Sequence, residues 1–172
     1  MSTIIRKAKE SEYEEIKYIN DVAFGQPNEG MLVEKLKANP RFIEDLSLVS
    51  EKEGKLMGHI LFFPIRIKNS EQGFQSLALA PMSVLPQYQR QGIGSLMVQK
   101  GLEKAKKLGF KSVIVLGHKD YYPRFGFKPA SQWNIQSPFE VADDLFMAVE
   151  LVPGGLSSVS GRVEYPVEFM EV

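Results

Sequence analysis

The clearest chemistry in this chain lies in the run Gln89-Arg90-Gln91-Gly92-Ile93-Gly94. Two glycines one residue apart strip side chains from a turn. That turn falls between a strand-like run, Ser76 to Val84, and a helix-like run, Ile93 to Leu108. Backbone N–H groups in such a corner can close around an anion. The first amides of a helix have no partner within it, and the helix dipole adds positive potential at the same end. The segment reads as a site for a phosphate or pyrophosphate.

Three glycine-turn patterns compete for it. A dinucleotide fold wants G-x-G-x-x-G, but the third glycine is replaced by Met97. A triphosphate loop wants G-x-x-x-x-G-K-[ST], and Gly94 is followed by Ser95. The pattern that remains is Q/R-x-x-G-x-G, satisfied by Gln89, Gly92 and Gly94.

The elements that must position this turn are legible from period and punctuation. Thr3 to Arg6 is a short strand. Ser11 with Glu14 is a capping-box pattern opening a helix with Tyr13, Ile16, Ile19 and Ala23 on one face, broken at Gly25-Gln26-Pro27. Met31, Leu32, Lys35 and Leu36 suggest a second short helix, ended by Asn39-Pro40. Leu46 to Ser50 and Leu56 to Ile67 form a hairpin over Glu53-Gly54, with Pro64 implying an edge or a bulge. Phe74 to Val84 is the next strand. Pro81 has no N–H to give a ladder, so this strand must bulge or splay near Ala80 to Met82. The helix after the glycine turn presents Leu96, Met97, Gly101, Ala105 and Leu108 along one face and stops at Gly109. Ser112 to Leu116 suits a buried parallel strand. Phe74 to Leu116 is thus strand, helix, strand, a right-handed crossover with its ligand at the carboxyl ends of the strands. Tyr121 to Phe125 is a helical turn, Trp133 to Phe139 has no clear assignment, and Leu145 to Val152 and Gly161 to Tyr165 are late strands. The fold class is α/β: a mixed, mostly antiparallel sheet with one parallel strand-helix-strand crossover, within a single domain spanning 1–172.

Bulk properties exclude several functions. Lys and Arg number 21 and Asp and Glu 21, so the formal net charge of zero argues against a dedicated nucleic-acid binder. The absence of cysteine rules out disulfides, thiolate metal sites and an acyl-cysteine intermediate, and suits a cytoplasmic protein. Two histidines without supporting carboxylate spacing do not suggest a metal. No run of about 18 apolar residues exists, so no membrane span is expected. Met1 to Glu10 is charged and lacks the apolar segment of a secretory signal.

The segment Pro86 to Gly94 closely resembles the acetyl-CoA motif of the GNAT superfamily of N-acetyltransferases. Downstream, Tyr121-Tyr122-Pro123-Arg124-Phe125-Gly126-Phe127 resembles that superfamily's following motif, a tyrosine four residues before Gly-Phe. Gly117-His118 and the tail Leu151 to Phe169 resemble the bacterial acetyltransferases of the YhbS type. The resemblance implies the acyl-CoA N-acyltransferase fold, with acetyl-CoA as cosubstrate and no metal. It implies that amides of Gln91, Gly92, Ile93, Gly94 and Ser95 hold the CoA pyrophosphate, with Gln89 completing the motif and Arg90 adding a charge-assisted contact. It implies further that the pantetheine arm pairs with backbone groups near Met82 and Val84, and that an N–H near Met82 polarises the thioester carbonyl. Tyr122 matches the family's general acid, which protonates the departing thiolate; the spacing to Gly126-Phe127 favours it over Tyr121.

No motif fixes the base that deprotonates the amine. His118 is a candidate, a hydrogen-bonded structural histidine being the alternative reading, and ordered water leading to a carboxylate would serve as well. His59 reads as structural. The sequence does not name the acceptor; the resemblance implies a small-molecule or peptide amine whose pocket draws on Phe24 to Asn39 and the late strands, with Gln26, Asn28, Glu29 and Trp133 as wall candidates by location. A homodimer and a monomer are both compatible with the sequence. A non-catalytic acyl-CoA sensor on the same scaffold is the competing function.

Overall fold

A computed structural model describes residues 2–172 of the chain. Met1, where the expectation about the N-terminus begins, lies outside the described residues. The chain divides into two compact units. One runs to Phe63 and takes in Ala80–Lys104 and Val167–Val172; the other comprises Pro64–Leu79 and Ala105–Pro166.

In the first unit the strand order is β1 (Ile4–Lys7), β2 (Ser47–Lys52), β3 (Lys55–Lys68) and β4 (Gly73–Val84), the last two continuing into the second unit. β1 and β2 pair antiparallel, Ile4 opposite Glu51 through Lys7 opposite Leu48. β2 and β3 form the expected hairpin, its corner made by Glu53 and Gly54 with φ of 53° and 78°. The first helix, α1 (Tyr13–Phe24), ends at Gly25 in the left-handed region. It starts differently from the sequence pattern. A short 3-10 turn, Glu10–Glu12, precedes it, and the Lys9 N–H donates to Glu12 Oε1 at 2.8 Å, so Glu12 and not Glu14 satisfies the exposed amide. Glu12 is fixed there by Arg6, whose guanidinium lies 2.7 Å away and holds the carboxyl below its ordinary range. The second helix, α2 (Asn28–Lys37), opens three residues before the Met31 expected from its apolar spacing.

Burial follows the periodicities. Ile16 and Ile19 of α1 and Val33 of α2 close over Val49, Leu56 and Leu85, while Leu32 and Leu36 of α2 pack with Leu61 and Phe63 of β3. Each such side chain taken fully out of water contributes about 1.5–3 kcal/mol. The third helix, α3 (Ile93–Lys107), buries Ile93, Met97, Val98, Gly101 and Ala105 and stops at Gly109, φ 94°. Leu108, expected on its apolar face, is instead exposed, because the helix has ended one residue earlier. Two glycines set how closely α3 lies on β3. A Cβ at Gly101 would run into the Phe62 ring, and one at Gly58 would lie 3.0 Å from Met97 Cε and 2.6 Å from the Ser83 carbonyl oxygen.

In the second unit the order is β4, β5 (Ser112–Leu116), β8 (Phe146–Glu150) and β6 (Lys128–Pro129). β4 and β5 are parallel, with Ala78 opposite Ile114, and the Ser76 and Ser112 hydroxyls, 2.7 Å apart in the interior, join them. β5 and β8 are antiparallel from Ser112 opposite Glu150 to Leu116 opposite Phe146. The late strand β9 (Gly161–Glu164) pairs with Arg66–Lys68 of β3, so Pro64 falls in β3 after its last partner in β2, opposite Leu61, and before its first in β9, opposite Arg66. The segment Trp133 to Phe139 contains β7 (Ile135–Gln136), which runs parallel to β9. That is a second parallel pairing beside the expected one.

His59 is structural, as its place on a strand suggested. It is wholly buried in the first unit; Nε2 lies 2.9 Å from Ser47 Oγ, which also accepts from the Tyr13 hydroxyl at 2.9 Å. Burial alone drives its pKa down from 6.5 to about 3, so the ring is neutral in the fold. An unfolded chain would bind a proton there below about pH 6.5, which the folded chain refuses until about pH 3. The stabilisation is complete above the upper value and is lost as pH falls through this window. Unfolding free energies from urea titrations between pH 7 and pH 4 should therefore fall more steeply for the native chain than for His59→Gln, by up to about 1.4 kcal/mol per pH unit. Equal slopes would place the acid sensitivity elsewhere.

Candidate active site

The glycine turn lies in the first unit. β4 leads into it through alternating burial: Pro81 and Ser83 are buried, Met82 and Val84 half-buried. The Ala80–Pro81 peptide is cis, at the point where the sequence demanded an irregularity. After β4 the Leu85 N–H donates to the Met57 carbonyl at 2.8 Å, and Pro86–Tyr88 forms a 3-10 turn. Gln89 then reaches back, its Nε2 donating to the Val84 carbonyl at 2.9 Å, and Gln91 Nε2 donates to the Gln87 carbonyl at 3.3 Å. These two amides brace the loop from within. Nothing in the spacing of the motif signalled that its glutamine serves the chain's own backbone.

Two residues of the turn are left-handed, Arg90 at φ 64° and Gly92 at φ 82°. At Gly92 the conformation explains the residue. A Cβ there would meet no atom within 4 Å, so the glycine is demanded by backbone angle and leaves open space beside it. The ladder of α3 starts when the Leu96 N–H donates to the Gly92 carbonyl at 3.1 Å, which leaves the amides of Ile93 and Gly94 ahead of the first helical bond. Arg90 and Gln91 are exposed, Ile93 is buried, and Gly94 and Ser95 are half-buried. A fifteen-residue helix thus begins on a glycine corner with open space at its start. This is a fit for a phosphate group: donors, a positive dipole end, a nearby cation and no side chain in the way.

The aromatic turn lies in the second unit. β5 exits at Leu116 into Gly117, whose N–H donates to the Leu145 carbonyl at 2.9 Å. The His118 carbonyl then accepts from the N–H groups of Tyr121 and Tyr122 at 3.1 and 3.2 Å, curling the chain into the 3-10 turn Tyr122–Phe125. Gly126 closes that turn at φ 96°. Tyr122 is buried, with only 6% of its surface exposed, among Tyr121 (ring centroids 5.1 Å apart), Phe127 (5.6 Å) and Phe125 (6.4 Å). Burial first, and the neighbouring Tyr121 second, push its hydroxyl well above the ordinary tyrosine range. The phenol is protonated at neutral pH, the state an acid needs. His118 is exposed, on the same turn.

Met82, Val84 and Gln89 to Ser95 therefore share one unit and His118 and Tyr122 the other. Of the acceptor-wall candidates, Gln26 and Glu29 are bonded to each other, Gln26 Nε2 lying 3.0 Å from both carboxylate oxygens, and Trp133 is half-buried. An open cavity of about 480 Å³ lies in the second unit, lined by Gly73, Phe74, Gln75, Lys111, Gly154 and Ser157 among others. These residues flank the amino ends of β4 and β5, whereas ligands of α/β crossovers bind at the carboxyl ends, so volume does not mark the site here. Among the described residues no helix is long and apolar enough to cross a membrane.

Comparison with known proteins agrees with this geometry. Residues 4–130 match the model of the acetyltransferase (GNAT) domain. The chain belongs to the GNAT acetyltransferase family. The matched stretch takes in both the glycine turn and the tyrosine turn. The chain is 35% identical over 135 residues to the uncharacterized N-acetyltransferase YjhQ of Escherichia coli strain K12, covering 78% of this chain and 75% of that one. Among solved structures it is similar to the GNAT family N-acetyltransferase YhbS from Escherichia coli in complex with CoA, with a TM-score of 0.90, 27% identity, and coverage of 98% of this chain and 92% of that one. It is also similar to a GNAT family acetyltransferase from Brucella melitensis in complex with acetyl-CoA, with a TM-score of 0.79, 32% identity and 98% coverage of both. The fold is that of the GNAT acetyltransferases, and the chain is placed with enzymes of the acyltransferase class.

Proposed function

We propose that this protein is an acetyl-CoA-dependent N-acetyltransferase, built as a single GNAT-type domain, that acetylates a primary amine of a small molecule or peptide. The observation that carries the reading is the left-handed corner at Arg90 and Gly92 feeding the start of α3. The CoA complexes of the two similar structures support the same ligand. The cosubstrate supplies an activated acyl thioester, and the acetyl group passes to the amine by direct attack through a tetrahedral intermediate. In this reading the amides of Gln91 to Ser95 bind the pyrophosphate and Arg90 contributes a charge. Gln89 acts through the loop it braces. The backbone of Met82 and Val84 takes the pantetheine arm. The Val84 carbonyl, which already accepts from Gln89, keeps a second lone pair for it.

Tyr122 is the general acid in this reading. Its phenol proton passes to the thiolate sulfur as the C–S bond breaks, and a protonated phenol in an aromatic pocket is suited to that step. His118, exposed on the same turn, takes the proton released by the amine nitrogen.

The reading is tested by screening polyamines, amino acids, aminoglycosides and peptides for amine-dependent release of CoA thiol; a chain that binds CoA but turns over none of them is a sensor. Gly94→Asp should abolish CoA binding measured by calorimetry, through bulk and like charge. It should leave the thermal midpoint of the ligand-free protein unchanged or higher, because a carboxylate in the first turn suits the helix dipole. Retained affinity in that variant would refute the placement. Tyr122→Phe should lower kcat by about 10²- to 10⁴-fold with the KM for acetyl-CoA nearly unchanged. His118→Gln should lower kcat by about 10²-fold with the KM for acetyl-CoA nearly unchanged; an unaltered kcat would assign the base to water or a carboxylate.

A further inference from the structure

We infer that Gly117 is a positioning residue for the transfer: its missing side chain is the slot against which the Tyr122 ring rests, and it sets where the phenol oxygen points. This rests on the reading of Tyr122 as the acid. Gly117 is not in the left-handed region, so its backbone does not demand a glycine. What demands it is the neighbour. A Cβ at Gly117 would lie 2.7 Å from Tyr122 Cε2, 3.4 Å from Cδ2 and 3.8 Å from Cζ, the carbon that bears the hydroxyl. Ordinary contact begins at 3.4 Å, so the ring edge would have to retreat by about 0.7 Å.

Neither partner can yield easily. Gly117 is held by its bond to the carbonyl of Leu145, the residue before the strand that pairs with β5. The ring is held on its other sides by Tyr121, edge-on at 84°, and by Phe127, edge-on at 71°. The Tyr122 backbone is tied to the His118 carbonyl and followed by Pro123. A methyl group at position 117 therefore turns the phenol within a packed aromatic cage. A displacement of about 1 Å at a reacting group can cost about 10²-fold in rate.

The test is a double-mutant cycle with acetyl-CoA and the amine giving the fastest turnover in the screen above. Gly117→Ala should lower kcat by about 10- to 100-fold with the KM for acetyl-CoA unchanged. In a Tyr122→Phe background the same substitution should cost nothing further, since there is no phenol left to misplace. Equal losses in both backgrounds, or no loss in either, would overturn the inference. An unchanged kcat in Tyr122→Phe alone would instead overturn the acid role itself. Should Gly117→Ala not fold, Phe127→Leu loosens an edge-on contact of the ring, 5.6 Å between centroids, and must show the same dependence on the Tyr122 hydroxyl.

Discussion

The seating of α3 on β3 is the constraint on which the glycine turn depends. Gly101 admits the Phe62 ring against the helix, and Gly58 lets Met97 and the Ser83 backbone close on the strand. With any larger residue at either position the helix would ride higher. Its amino end would then move away from the strand that delivers the glycine turn. Overpacking of this kind costs about 1–3 kcal/mol in stability. The displaced helix would also carry with it the amides of Ile93 and Gly94, which the proposed function sets against the diphosphate.

The rest of the machinery is arranged so that few side chains touch the proposed cosubstrate. In the proposed function backbone donors, a helix end and two left-handed residues would hold the anion, while the side chains of Gln89 and Gln91 are occupied in bracing the loop. The Tyr122 ring packs among aromatic neighbours, and its burial keeps the phenol protonated.

Only part of this could be read in advance. Gly92 and Gly94 were legible because glycines at a strand-to-helix junction leave a mark in one dimension. The parallel crossover was legible because the helical run from Ile93 leads into Val113 to Leu116, a short apolar run suited to a buried parallel strand. Gly117 was not recognisable as a packing partner of Tyr122, since its backbone angles are ordinary and only the folded neighbour gives the residue its reason. The capping role of Glu12 was hidden because it depends on Arg6, which comes from another element. The two-residue strands at Lys128–Pro129 and Ile135–Gln136 were invisible because no period can be read from so short a run. The acceptor was silent throughout, for no residue type or spacing in Phe24 to Asn39 points to one amine.

Arg90 holds a left-handed backbone without being glycine, a posture that costs a side-chain-bearing residue about 1–2 kcal/mol. An engineer seeking a hardier protein would be drawn to relax that kink with Arg90→Gly. The gain in durability would come from erasing the cation assigned to the diphosphate, so at this one residue robustness and ligand capture pull against each other.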